Sequence, residues 1–179
     1  MHKGHEENVK PSRIHITGAS GSGTTTLGAA LSRQLGWKHI DADDYYWLQT
    51  QPPFQQKRPW EERLKLMIAD LRSEPGVIAT GSTIRWGLEL EDAYELIVYL
   101  YIPPEIRLQR LRVREMQRNG SINEGFIAWA ALYDEGDLTV RSRRRVEKWL
   151  SERHVPVLRL EGDLTVEARV AAVMAQLQR

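Results

Sequence analysis

The segment that most constrains this chain is Gly18-Ala-Ser-Gly-Ser-Gly-Thr-Thr25, which fits the phosphate-binding pattern G-x-x-x-x-G-K-[ST] at every fixed position except one. It lies between Arg13-Ile-His-Ile-Thr17, which reads as a short strand, and a helical stretch over 24–34 closed by Gly36. A junction of that kind aims backbone N–H groups and the positive end of a helix at one point, which suits a polyphosphate. Gly18, Ala19, Ser20, Gly21, Ser22, Gly23, Thr24, Thr25 and Thr26 are therefore the candidate nucleotide-binding residues. The Thr25 hydroxyl stands where such loops ligate Mg²⁺. Thr24 is the departure, because a lysine in its place normally reaches the β- and γ-phosphates. Threonine keeps a hydrogen-bond donor and loses the charge. Either arginines elsewhere supply that charge, or the site binds nucleotide without doing chemistry.

After the loop, strand and helix patterns alternate. Segments 37–41, 77–80, 96–102 and 155–160 read as strands, and the continuous apolar run at 96–102 suits a strand buried on both faces. Leu64, Met67, Ile68 and Leu71 recur at offsets 0, 3, 4 and 7 and predict a helix. Pro103-Pro104 opens another reaching about 117, two more lie near 122–133 and 138–152, and a last begins near Thr165. Pro52, Pro53 and Pro59 predict irregular chain over 44–58. The alternation predicts an α/β fold of three layers, a five-stranded parallel sheet with helices on both faces. At 179 residues, 41% hydrophobic and 27% charged, the chain has the size and composition of one globular domain, read as 13–179. Residues 1–12 are polar and aperiodic and read as a flexible tail, whose His2 and His5 are either solvated or a weak metal site.

Composition excludes several classes. There is no cysteine, hence no disulfide framework and no thiol nucleophile, which fits a reducing, cytoplasmic setting. A net charge of +1 gives no global pull toward nucleic acid or anionic membrane. The longest apolar run has seven residues, against about 20 for a membrane span. The expected partners are a nucleotide and a small acceptor, with no nucleic acid and no membrane, in a monomer or homodimer.

A second group of residues falls at the ends of the later strands, the edge where open α/β sheets bind ligands. Asp41 and Asp43 share one face, and either hold a metal-bound water and an attacking group or merely cap a helix. Gly81 and Arg85 follow the third strand and suit an anionic substrate group. Tyr45, Tyr46, Trp47, Phe54 and Trp60 crowd the irregular segment, either as a wall for a planar ring or as local core. Arg107, Arg110, Arg114 and Arg118 form one helical stripe, and Arg141, Arg144, Arg145 and Lys148 a second. These are either solvated faces or two brackets around a transferring phosphoryl group. The stretch 119–136, with three glycines and several aromatics, is a candidate lid.

With these residues in place, the chain resembles the P-loop small-molecule kinases, including adenylate, cytidylate and shikimate kinases. The markers are 18–25, Asp41 with Asp43, Gly81 with Arg85, the Pro103–Arg114 run, and Leu160-Glu-Gly-Asp163, which is similar to the loop lying against the nucleotide base. More narrowly, Gly-Ala-Ser-Gly-Ser-Gly-Thr-Thr-Thr-Leu is similar to a bacterial adenylate-kinase-like group. Gly-Ser-Gly-Thr-Thr-Thr resembles archaeal cytidylate kinases, which implies that threonine at the lysine position is compatible with transfer. The resemblance implies a P-loop kinase fold with a lid, and Mg·ATP-dependent phosphoryl transfer to a small acceptor, foremost a nucleoside monophosphate. A shikimate-type hydroxyl acceptor and a catalytically silent nucleotide-binding module are the alternatives. By the same analogy Thr25 and Asp41 organise Mg²⁺, Asp43 touches the acceptor, and Arg110, Arg114 and Arg141 contact phosphates. Gly81, Arg85 and Trp47 complete the acceptor side.

Overall fold

The structure is a computed structural model in which residues 12–51, 53–136 and 141–179 are described. The five strands β1 (Arg13–Gly18), β2 (Lys38–Asp41), β3 (Val77–Thr80), β4 (Leu96–Tyr101) and β5 (Val157–Glu161) form one sheet. Every pairing is parallel, in the order β2-β3-β1-β4-β5. Because β3 flanks β1 on one side and β4 on the other, the chain reverses its direction of travel at β1. That places a crevice at the carboxyl ends of the central strands.

Helices α1 (Thr24–Leu35) and α8 (Val166–Gln176) cover one face. There Leu27, Leu31 and Val173 pack on Ile14, Ile16, Ile78, Val98 and Leu100. The other face takes α3 (Trp60–Arg72), α4 (Leu88–Glu91) and α7 (Arg143–Ser151), whose Met67, Leu71, Leu90, Val146 and Trp149 meet Val77, Ala79, Ile97 and Tyr99. Alternation along each strand distributes its side chains between these two cores, so the strands read as continuous apolar runs. Two helices complete that side, α5 (Pro104–Asn119) and α6 (Glu124–Glu135), joined by a small core of Leu111, Ile127 and Ala130. Arg107 is fully buried in this joint and donates to the Ala130 carbonyl at 2.8 Å and to Asp134 at 2.5 Å.

The expected elements are present with shifted ends, and two short helices are added. Residues 42–46, partly expected to be irregular, form α2 (Ala42–Tyr46), because the Asp41 side chain accepts from the Asp43 N–H at 3.1 Å and caps its first turn. The four-residue α4 carries too short a pattern to announce itself. Helix α7 begins at Arg143 rather than 138, where the Ser142 hydroxyl accepts from the Arg145 N–H. Residues 138–140, and the expected tail apart from Ser12, lie outside the described residues. Among the described residues no helix is long and apolar enough to cross a membrane.

Candidate active site

The phosphate loop turns from β1 into α1 on two glycines with positive φ, Gly21 at 85° and Gly23 at 88°. A Cβ on Gly21 would sit 2.7 Å from the Arg107 carbonyl oxygen, so only glycine lets the loop lie this close to α5. Further along α1, Gly28 packs against β3 at a distance where a Cβ would meet Thr80 at 2.4 Å and His39 at 2.6 Å. The loop opens onto a cleft of about 1660 Å³ at the carboxyl ends of the strands.

Asp41, at the end of β2, lies next to that loop. Its Oδ2 accepts from the Thr25 hydroxyl at 2.8 Å and the Thr80 hydroxyl at 2.9 Å. A hydroxyl and a carboxylate oxygen thus meet beside the loop mouth, a hard-oxygen pair that fits Mg²⁺. Among the described residues no cluster of three or more His, Cys, Asp or Glu side chains occurs that could hold a metal. The pair therefore suits an ion that takes most of its ligands from water and phosphate, as Mg²⁺ does. Asp43 projects into the same cleft from α2. Partial desolvation among its neighbours, then the Asp41 charge, raise its pKa, while Arg141 and Arg114 pull it down.

Cations dominate the rest of the lining. Eight arginines and Lys57 stand against the four carboxylates Asp41, Asp43, Glu115 and Asp163, whereas the whole chain carries only +1. The cleft concentrates the positive charge that composition hides, and focuses it on anions. Arg141 donates to the Gly18 carbonyl at 3.2 Å. Arg110 pairs with Asp163 across the cleft rim. Desolvation and the neighbouring Arg118 hold the Arg114 guanidinium below its usual pKa, and desolvation does the same to Arg141 and Arg145. Burial is thus their shared cost, and an anion entering the cleft would offset it.

Aromatic rings occupy two walls. Trp47 meets Tyr46 edge-on at 4.9 Å and Phe54 at 6.0 Å, and Phe126 stacks on Trp129 at 5.9 Å on α6. Phe54 and Trp129 are largely exposed. Tyr45 takes no part in the lining: its hydroxyl donates to Asp70 at 2.5 Å, and Trp60 lies on the outer surface of α3.

The structure brings nearly all the sequence-expected residues to this one cleft: Gly18, Ala19, Ser20, Gly21, Gly23, Thr24, Thr25, Thr26, Asp41, Asp43, Trp47, Gly81, Arg85, Arg110, Arg114 and Arg141. Ser22 differs, since its side chain is buried behind the loop and its N–H donates to the Ala19 carbonyl. The first arginine stripe divides: Arg110, Arg114 and Arg118 line the cleft, while Arg107 turns into the α5–α6 joint. In the second stripe Arg141 and Arg145 reach the cleft, and Arg144 and Lys148 remain outside it.

Sequence reasoning missed Arg63 and Arg169. Arg63 lies against both the Tyr46 and the Trp86 rings, 4.7 and 4.8 Å from their centroids. Arg169 is nearly buried and donates to the Ser22 carbonyl at 2.8 Å and the Gly162 carbonyl at 3.3 Å. Each precedes a buried apolar residue by four, Met67 and Val173, so each is a cation placed inside an apolar stripe. That is the signal by which both could have been found.

A family model described as an AAA domain matches residues 14–125. The chain is 44% identical over 174 residues to the uncharacterized protein YqaC of Bacillus subtilis (strain 168), covering 92% of this chain and 96% of that protein. It is 33% identical over 116 residues to shikimate kinase of Halorhodospira halophila (strain DSM 244 / SL1), covering 57% and 63%. A crystal structure of shikimate kinase from Bacteroides thetaiotaomicron shares the fold, with a TM-score of 0.56 and 22% identity over 94% of this chain and 99% of that one.

Proposed function

Because the chain belongs to the AAA-domain family that its residues 14–125 match, among the P-loop small-molecule kinases, we propose that it transfers the γ-phosphoryl group of Mg·ATP to a small acceptor, foremost a nucleoside monophosphate. One observation carries this reading: the Thr25–Asp41 contact stands beside the phosphate loop, and Asp43, two residues on, faces the same cleft. The phosphate loop, the Thr25–Asp41 pair and the Asp43 carboxylate thus share one cleft along the sheet edge, which supports a donor site, a metal pair and an acceptor carboxylate there.

The backbone N–H groups of the loop bind the polyphosphate at the start of α1. Thr25 and Asp41 would hold Mg²⁺, which when bound would neutralise charge on the phosphates. Asp43 orients the attacking oxygen of the acceptor and takes its proton where there is one. Arg110, Arg114 and Arg141 hold phosphates as the charge shifts, so the rate comes from positioning and electrostatics. The segment 119–136 acts as a lid that excludes water. Trp47, Phe54, Phe126 and Trp129 support an acceptor with a planar ring.

A second reading, a hydroxyl acceptor bearing a carboxylate as shikimate does, is favoured by Arg63 and Arg85 at the aromatic end of the cleft.

The test is ADP formation by the purified protein from Mg·ATP with each nucleoside monophosphate, shikimate, gluconate or no acceptor. Stimulation by a nucleoside monophosphate supports the first reading and by shikimate the second. ATP binding without ADP formation across the panel favours a binding module. Asp43→Ala is expected to lose turnover by about 10²-fold or more while keeping its affinity for ATP. Wild-type turnover in that variant removes Asp43 from the mechanism.

A further inference from the structure

The phosphate loop of this chain holds no cation of its own. Thr24 replaces the lysine, the first turn of α1 carries no basic residue, and none of residues 18–26 is charged. Polyphosphate binding of this kind relies on a charge at the β- and γ-phosphates. We propose that Arg141, brought in from the segment ahead of α7, occupies the place of the missing loop lysine and supplies its charge to the donor phosphates. This rests on the Mg·ATP reading above.

Direction supports the exchange. A side chain in the first turn of a helix points back toward the N-terminus, so a lysine at 24 would reach over the loop toward its first residue. The Arg141 guanidinium is found there, with Nη2 donating to the carbonyl of Gly18, the residue that begins the loop. The contact bridges 123 positions of sequence, so it is made by the fold and not by local geometry. A guanidinium has five N–H groups in a planar fork. One on Gly18 leaves others for a phosphate, which arginine grips in two-point fashion. Burial lowers the Arg141 pKa, and the charges of Asp43 and Asp41 in the same cleft oppose that shift.

Three other cleft arginines are held by groups of the protein itself. Arg110 is paired with Asp163 at the rim. Arg63 lies against the Tyr46 and Trp86 rings at the aromatic end. Arg169, also in the lining, holds the Ser22 and Gly162 carbonyls and so braces the loop.

The experiment is a double-mutant cycle on the full chain, Thr24→Lys, Arg141→Ala and both together, with calorimetric affinity for Mg·ATP as the readout. Arg141→Ala is expected to weaken ATP by about 10- to 100-fold, the effect of losing a charge-assisted contact. Adding Thr24→Lys to it is expected to recover most of that loss. Thr24→Lys alone is expected to give no gain, because its ammonium meets the Arg141 guanidinium. Arg141→Lys is expected to retain most of the affinity and Arg141→Gln to lose it, and thermal melts of all five variants identify any that fail to fold. A lysine at 24 that tightens ATP by one factor in both backgrounds places Arg141 elsewhere and overturns the proposal. So does Arg141→Ala that Thr24→Lys fails to rescue, since the arginine then only braces Gly18. A wild-type protein that binds no ATP overturns the nucleotide reading itself, and is distinguished from the other failures by the first titration.

Discussion

Every loop group that faces the cleft from 18–26 comes from one run of nine residues, whereas the rest of the lining draws Asp43, Arg63, Arg85, Arg114 and Arg141 from five separate segments. The first half is made of backbone: N–H groups, two glycines with positive φ, and a helix terminus. Its chemistry survives almost any side chain that leaves the turn intact, and fails when the turn does. The second half is made of long side chains whose positions depend on where α2, α3, α5 and the approach to α7 settle. Its chemistry tolerates small backbone shifts and fails one functional group at a time. A chain that loses its loop lysine moves one task from the first construction to the second.

The sharpest break of that contrast is Gly21→Val. A non-glycine residue at φ 85° carries about 1–3 kcal/mol of backbone strain. The new Cβ also meets a main-chain oxygen, that of Arg107, at 2.7 Å, and α5 is held by a buried ion pair and cannot readily withdraw. ATP affinity is expected to fall by about 10²-fold or more, measured by calorimetry. Retained affinity shows that the loop can be rebuilt around a side chain, and that the donor half does not depend on its backbone alone.

The same contrast explains what the sequence made legible. A backbone site is contiguous, so its spacing carries the signal, and 18–25 announced strand, turn, helix and ligand chemistry together. Asp41 and Asp43 were legible because a strand end aligns them. The capping role and the metal-pair role of Asp41 turned out to be served by different oxygens, Oδ1 on the Asp43 N–H and Oδ2 on Thr25. Helical spacing placed Arg107 on the stripe of Arg110 and Arg114, but a stripe on α5 says nothing about which end α6 covers. Arg63 and Arg169 lay inside apolar stripes and were passed over, because periodicity counts the apolar positions and not the cation among them. The partner across a cleft is a tertiary fact, and 123 positions separate Arg141 from Gly18.

A pH profile sharpens the other side of the comparison. Burial and the Asp41 carboxylate raise the Asp43 pKa above the ordinary aspartate value of about 4. The protonated form is therefore favoured to higher pH than for a free aspartate. If turnover needs the carboxylate, it is retained above the raised pKa and declines as pH falls through it. The expected acid limb of kcat falls tenfold per pH unit and lies above pH 4. ATP affinity follows the loop and is expected to stay flat across that limb. A limb shared by both readouts assigns the titration to the donor half and removes the distinction.

The smallest effect is expected at the seam, where Arg110 of α5 meets Asp163 of the loop between β5 and α8. Both side chains are close to half exposed, and an ion pair in that setting contributes about 0–1 kcal/mol to stability. Asp163→Asn is therefore expected to leave the melting temperature nearly unchanged. It removes a carboxylate from a cleft built to attract anions and leaves Arg110 unengaged, so ATP affinity is expected to rise by about threefold or less at low salt. At 0.5 M salt the gain is expected to vanish, since it is a screened interaction between exposed charges. A loss of affinity instead shows that Asp163 touches the nucleotide directly, as the resemblance of Leu160-Glu-Gly-Asp163 to a base-contacting loop implies. The donor half would then extend beyond its nine-residue run and depend on side chains after all.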